Sequence, residues 1–178
     1  NQTRGYALWT NQTDLSTYWS VQTQLSYISD PTFMSVWRQR QYMNNREYET
    51  SIYAKYQKEN AAFTALATND INQFISTSWL MASRHYKVDK SPEIRFFRYG
   101  DSLFDGLVNW SSETRLMRER MVFQSGTPAS LGLRPAAFTF PNGAVIGNNT
   151  AIATPLGANR LSQEFQNRLT TRHEFTVP

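Results

Sequence analysis

Residues 121–157 form a long stretch with a single charged residue, Arg134. The same stretch holds five of the eight glycines and four of the seven prolines of the chain. Glycine and proline interrupt helices and strands, so this composition predicts a long loop. Loops of this length inside a compact domain are usually functional or ordered by a partner, and the apolar residues Phe138 and Phe140 indicate that neighbouring molecules cover part of it. Regular structure is therefore expected in residues 1–120 and 158–178.

Apolar residues outside this stretch recur at three-, four- and seven-residue intervals, the spacing of one face of an amphipathic helix. The pattern predicts helices over residues 14–28, 31–43, 47–67, 71–85, 103–121 and 159–172. Asp30 and Asp101 are expected to cap two of them. Residues 94–99 follow Ser91-Pro92 and are rich in aromatic side chains, which predicts one short strand.

A chain of 178 residues suits one domain, and the pattern predicts a mainly α fold, a helical bundle with a small β element and a long loop. Its expected parts are an N-terminal extension with short helices over 1–45, a helical core over 46–120, the loop over 121–157, and a C-terminal helix and tail over 158–178.

The charge composition indicates an anionic partner. The chain has 18 Lys and Arg against 14 Asp and Glu, a net charge of +4 and a pI of about 9.5. Most of its basic residues are arginine, which makes bidentate contacts with phosphate and stacks on bases, so nucleic acid is favoured. Only 18% of residues are charged, so little repulsion opposes close packing of copies against each other.

Few residues are suited to catalysis. The chain has no cysteine and only two histidines, His85 and His173, and it lacks a glycine-rich phosphate loop. These features predict a protein that is not an enzyme and that has no metal centre and no cofactor. No apolar run approaches the roughly 18 residues needed to cross a bilayer, so no membrane partner is expected.

Three arginines, Arg115, Arg118 and Arg120, stand directly before the uncharged stretch and are candidate RNA-binding residues. In a helix Arg115 and Arg118 share a face, whereas in an extended segment Arg118 and Arg120 do. Either arrangement could line phosphates. In the alternative interpretation the arginines form a solvated helix end, neutralised by Glu113 and Glu119 and favoured by the helix dipole. The spacing alone leaves both interpretations open.

Residues 91–120 contain several short motifs in a fixed order. They are Ser91-Pro92, Phe97-Arg98-Tyr99, the segment Leu103-Phe104-Asp105-Gly106-Leu107-Val108, and Arg118 with Arg120, ten and twelve residues beyond Val108. In this order they resemble the coat proteins of rod-shaped plant RNA viruses of the tobacco mosaic virus type. The resemblance implies that family's fold, an antiparallel helical bundle with a long inner loop. It also implies that Arg118 and Arg120 grip RNA phosphates.

The same resemblance implies a structural capsid subunit that self-assembles helically around single-stranded RNA. Its partners would be the RNA and many copies of itself, and it would be found in the virion and the host cytoplasm. Asp105 falls where the family has one carboxylate of a repelling pair between subunits, and Asp89 is the acid nearest the expected partner position. Such a pair would take up a proton or bind calcium weakly at the interface.

Two other functions fit the same sequence. One is a monomeric RNA-binding or adaptor domain whose loop folds on a protein partner. The other is a filament subunit that binds no nucleic acid, in which Arg118 and Arg120 are incidental. Solution size separates a coat subunit from the first, and nuclease-protected RNA separates it from the second.

Overall fold

The described residues form one antiparallel sheet with two short helices. The computed structural model describes residues 3–44, 46–69, 71, 72, 74, 86–123, 126–130, 145, 147, 149–151 and 164–177. The strands are β1 (Tyr6–Asp14), β2 (Trp19–Ile28), β3 (Thr50–Lys58), β4 (Ala61–Asn69), β5 (Tyr86–Leu103), β6 (Val108–Phe123) and β7 (Gln166–Thr176), and the helices are α1 (Phe33–Trp37) and α2 (Gln39–Met43). Each strand pairs antiparallel with the next along the chain, in the order β1-β2-β3-β4-β5-β6-β7.

The predicted mainly α fold, an antiparallel helical bundle, is therefore wrong. Four of the segments predicted to be helical contain strands instead: 14–28 contains β2, 47–67 contains β3 and most of β4, 103–121 contains most of β6, and residues 166–172 of the segment 159–172 lie in β7. Within the helical core predicted over 46–120, the described residues form the antiparallel strands β3, β4 and β5 and most of β6. Residues 71, 72 and 74 of the helix predicted over 71–85 are not helical, and the rest of its span before Tyr86 lies outside the described residues.

The error has a physical cause in the spacing itself. Residues four apart lie on one side of a helix, but they also lie on one side of a strand, whose side chains alternate with a period of two. Ile52 and Tyr56 are such a pair, and both belong to β3. Strands form here in place of helices because β-branched and aromatic residues pack well on a pleated surface.

Two local predictions are confirmed. The strand predicted over 94–99 exists, although it is part of the much longer β5. Helix was predicted from residue 31 to 43, and α1 and α2 fall within that range, with a break at Arg38. The predicted cap is wrong: the N-cap of α1 is Thr32 and not Asp30. The Asp30 carboxylate instead accepts a hydrogen bond from the Thr32 backbone N–H at 3.1 Å.

The turn between β5 and β6 was the clearest signal of a hairpin in the sequence. Asp105-Gly106 is a dipeptide typical of tight turns, because both residues tolerate the left-handed backbone region. Phe104 and Asp105 have φ of 54° and 53°, and Gly106 has φ of 93°. Leu103 pairs with Val108 across the turn, so Asp105 lies at an exposed hairpin tip and does not open a helix.

The strand registers divide the sheet into two faces. On one face, called here the aromatic face, large apolar side chains are exposed: Trp9, Trp19, Leu25, Tyr27, Ile52, Phe96, Leu116, Leu169 and Phe175. The other face, called the helix-bearing face, carries α1 and α2 over one corner. Bulges in β5, between Lys90 and Glu93 and between Arg98 and Asp101, adjust the alternation of that strand to the continuous alternation of β6.

The hydrophobic core lies under the two helices. Ile28, Phe33, Met34 and Tyr48 are buried together, and Tyr6, Leu8, Tyr42 and Phe74 pack against them. Among the described residues, this cluster covers the β1–β2 corner of the helix-bearing face. Residues 1–45, predicted to be an extension, therefore supply two strands of the sheet and much of its core.

Candidate nucleic-acid interface

Arg118 and Arg120 lie on the aromatic face, near the end of β6. Because β6 is a strand, the two side chains are two residues apart on one side, which is the extended alternative of the sequence analysis. Both guanidinium groups contact the ring of Phe165, which precedes β7. The Cζ atoms of Arg118 and Arg120 are 4.4 Å and 4.9 Å from its centroid. A planar cation held on an aromatic ring keeps its edge available for phosphate.

The two arginines differ in their acidic partners. Arg120 forms an ion pair with Asp89, with Nη2 at 2.9 Å and Nε at 3.0 Å from Oδ2. Asp89 is only 5% exposed and lies on β5 opposite Arg120. Arg118 is exposed, and no acidic side chain among the described residues pairs with it. Arg118 is therefore the better placed of the two for an external phosphate, whereas Arg120 is partly neutralised within the chain.

Arg115 lies on the opposite face. Its Nη2 donates to Glu93 at 2.6 Å, and the same carboxylate pairs with Arg95 at 2.6 Å and Lys90 at 3.1 Å. These four residues are called here the Glu93 cluster. Glu93 is 3% exposed. The structure thus separates Arg115 from Arg118 and Arg120 and gives it a structural ion pair.

Opposing effects act on the Glu93 carboxyl. Burial raises its pKa because the charged form is desolvated, but hydrogen bonds from Arg115 and Lys90 and the charges of Lys90 and Arg95 outweigh burial, so its pKa is lowered. Glu93 is therefore ionised at neutral pH. Three basic side chains surround this one carboxylate, so the Glu93 cluster carries a net positive charge on the helix-bearing face.

Two further ring side chains lie on the aromatic face of β6 and β7, eight residues along β6 from Arg118. The rings of Trp110 and His173 stack with centroids 5.9 Å apart and an interplanar angle of 15°. Between this stack and Arg118 lie the cross-strand pairs Leu116–Leu169 and Thr114–Thr171. Rings and cationic groups on one face are the elements with which sheets bind single-stranded nucleic acid, since every base has a face that can stack.

The carboxylates predicted at the subunit interface, Asp105 and Asp89, lie at opposite ends of β5. They are separated by roughly 50 Å at about 3.3 Å per residue. Asp105 is exposed at the hairpin tip, whereas Asp89 is buried against Arg120. Any repelling pair would therefore have to form between different molecules, and Asp89 already has a cation as its partner.

Two further findings concern the described residues alone. They include no group of three or more His, Asp or Glu side chains arranged to hold a metal ion. Neither α1 nor α2 has the length and apolar composition of a bilayer-spanning helix. The weak calcium site expected between subunits stays a prediction.

Phe165 and Glu93 were not predicted from the sequence as parts of these sites. Phe165 is 45 residues from Arg120 in the chain, and Glu93 is 22 residues from Arg115, so neither contact follows from local spacing. The available signal was the alternation in β6, which places Leu116, Arg118 and Arg120 on one side and Arg115 and Met117 on the other. Strand pairing then determines which distant residues stand beside them.

Comparison of the chain with protein-family models, curated proteins and solved structures found no match. The resemblance to rod-shaped virus coat proteins therefore stays a prediction.

Proposed function

We propose that this protein is a non-catalytic coat subunit that packs against copies of itself and binds single-stranded RNA along its aromatic face. The observation that carries the proposal is the pair of guanidinium groups held on one exposed ring, Arg118 and Arg120 on Phe165, beside a face of exposed aromatic side chains. Cations bind phosphates and rings stack on bases, and both contacts tolerate any RNA sequence.

The self-packing part rests on the apolar character of the aromatic face. Trp9, Leu169 and Phe175 are 52%, 69% and 65% exposed, and six other large apolar residues on that face are also exposed. Extended apolar patches on a protein surface mark sites of association. A coat subunit would cover this face partly with RNA bases and partly with neighbouring subunits.

The test is RNA binding by the Arg118→Ala variant. A labelled oligouridine would be titrated with wild type and variant at several salt concentrations. Arg118 has no acidic partner among the described residues, so its truncation leaves no buried charge unpaired. We expect roughly tenfold weaker binding and a salt slope smaller by about 0.7, the value for one phosphate contact on a single strand.

The matched control is Arg40→Ala, which removes an equal charge from the exposed end of α2. A general electrostatic effect would weaken RNA binding equally in both variants and would contradict a specific site on the aromatic face. Arg120→Ala is less suitable, because it leaves the buried Asp89 without its cation.

The mass of the protein–RNA particles distinguishes a monomeric adaptor from a coat subunit. Light scattering of the purified protein with RNA would show particles much larger than 20.6 kDa if subunits assemble on it. A one-to-one complex of constant mass would contradict the coat-subunit role and leave RNA binding as the function.

A further inference from the structure

Among the described residues, no strand pairs with the outer edge of β7, the last strand of the sheet. β7 pairs with β6 on one side, and all eleven of its residues, Gln166–Thr176, are exposed. An edge of this length presents a row of backbone N–H and C=O groups that can pair with another strand. Natural sheets usually block such edges with proline, very short strands or a covering segment, and β7 contains no proline.

We propose that β7 pairs antiparallel with β7 of a second copy of this chain, about a twofold axis at Thr171, to join two sheets into one. This inference rests on the self-association part of the proposed function and adds a second contact between copies, along the β7 edge, to the packing through the aromatic face. The joined sheet would carry a continuous aromatic face, with two RNA-binding surfaces on the same side.

Symmetry limits the register of this pairing. A twofold axis perpendicular to the sheet keeps each face on its own side, so one residue must lie opposite its own copy. Thr171 is the midpoint of β7, and the register centred there pairs the strand along its whole length. It also places Arg168 opposite Glu174 of the second copy, and this pair occurs twice.

The neighbouring registers are opposed by charge. A twofold axis at Thr170 places Arg168 opposite Arg172 of the second copy, and this pair occurs twice. An axis at Arg172 places Arg172 opposite Arg172 of the second copy. Like charges directly opposite each other in a sheet are destabilising, whereas opposite charges stabilise. The charge pattern of β7 therefore selects the register centred on Thr171.

Engineered disulfides test this register directly, since the native chain contains no cysteine. In Thr171→Cys the two Cα atoms would be about 4.5–5.5 Å apart, within the range of a disulfide. In the control Leu169→Cys, four residues of offset separate the two copies by about 13 Å, which is too far. We expect rapid crosslinking of Thr171→Cys under mild oxidation and little of Leu169→Cys. Equal rates in the two variants, or none in either, would overturn the proposal.

Charge reversal gives an independent readout. Arg168→Glu places two like-charged pairs across the axis, and we expect the dimer to weaken about tenfold by sedimentation. Adding Glu174→Arg restores opposite charges and should restore the dimer, whereas Arg40→Glu on α2 should leave it unchanged. Failure of the second reversal to restore the dimer would contradict the pairing.

Oligouridine binding separates the outcomes of the two proposals. Retained RNA binding by a protein that stays monomeric at all concentrations would overturn the β7 pairing and leave the RNA-binding surface standing. A β7 dimer that crosslinks at Thr171 but binds no RNA would support the pairing and overturn the function proposed above.

Discussion

The Glu93 cluster makes a quantitative prediction about stability. Glu93→Gln removes the negative charge that Arg95 and Arg115 contact at 2.6 Å and Lys90 at 3.1 Å. Removing one partner of a buried ion pair costs about 3–5 kcal/mol, because the other partner is left uncompensated. The three cations here are 27–32% exposed at the side chain and so are partly screened by water. We therefore expect a loss of about 2–3 kcal/mol in the free energy of unfolding.

Urea denaturation would measure this loss, with Glu113→Gln as the control. Glu113 lies on the same face of β6 as Arg115, is half-buried and has no ion pair among the described residues. Its substitution should therefore change stability by less than about 0.5 kcal/mol. Equal losses in the two variants would refute the view that Glu93 holds the cluster together.

The pH dependence of the same variant follows from the sign of the pKa shift. The pKa of Glu93 is lower in the folded protein than in the unfolded chain, so its contribution is complete above about pH 4.3, the unfolded value. The contribution is lost as the pH falls through the folded value. The difference in stability between wild type and Glu93→Gln should therefore shrink as the medium is acidified below pH 4.3. A difference that is constant with pH would contradict an electrostatic origin.

Two other predictions concern the corner under the helices. Met34 is 1% exposed in the core, so Met34→Ala should lower the free energy of urea unfolding by about 2–4 kcal/mol, whereas Val36→Ala on the same helix, 62% exposed, should change it little. Equal losses of stability in the two variants would contradict the placement of Met34 in the hydrophobic core. Hydrogen bonds from Arg4 and Thr32 hold the pKa of Asp30 well below its usual range against the effect of burial, so its contribution is present above about pH 3.9 and lost at lower pH. Asp30→Asn should lower the melting temperature by a few degrees at pH 7 and by less at pH 2, and an equal reduction at both values would contradict this ion pair.

Local signals in the sequence determined the parts of the structure that depend on neighbours in the chain. The aromatic run at 94–99 predicted a strand, and Asp30-Pro31 predicted the start of a helical region, because turn and capping preferences act over a few residues. The basic charge of the segment 115–120 was also evident, as was the possibility that Arg118 and Arg120 share one side of an extended strand.

Only the tertiary structure decided between helix and strand, because a four-residue spacing satisfies both and pairing with distant strands determines the outcome. It also assigned the arginines their roles. Arg115 became part of a buried ion cluster because β5 brings Glu93 beside it, whereas Arg118 and Arg120 share the ring of Phe165 on the exposed face. Contacts between residues 22 to 47 positions apart depend on strand register, which the spacing within any one segment does not contain.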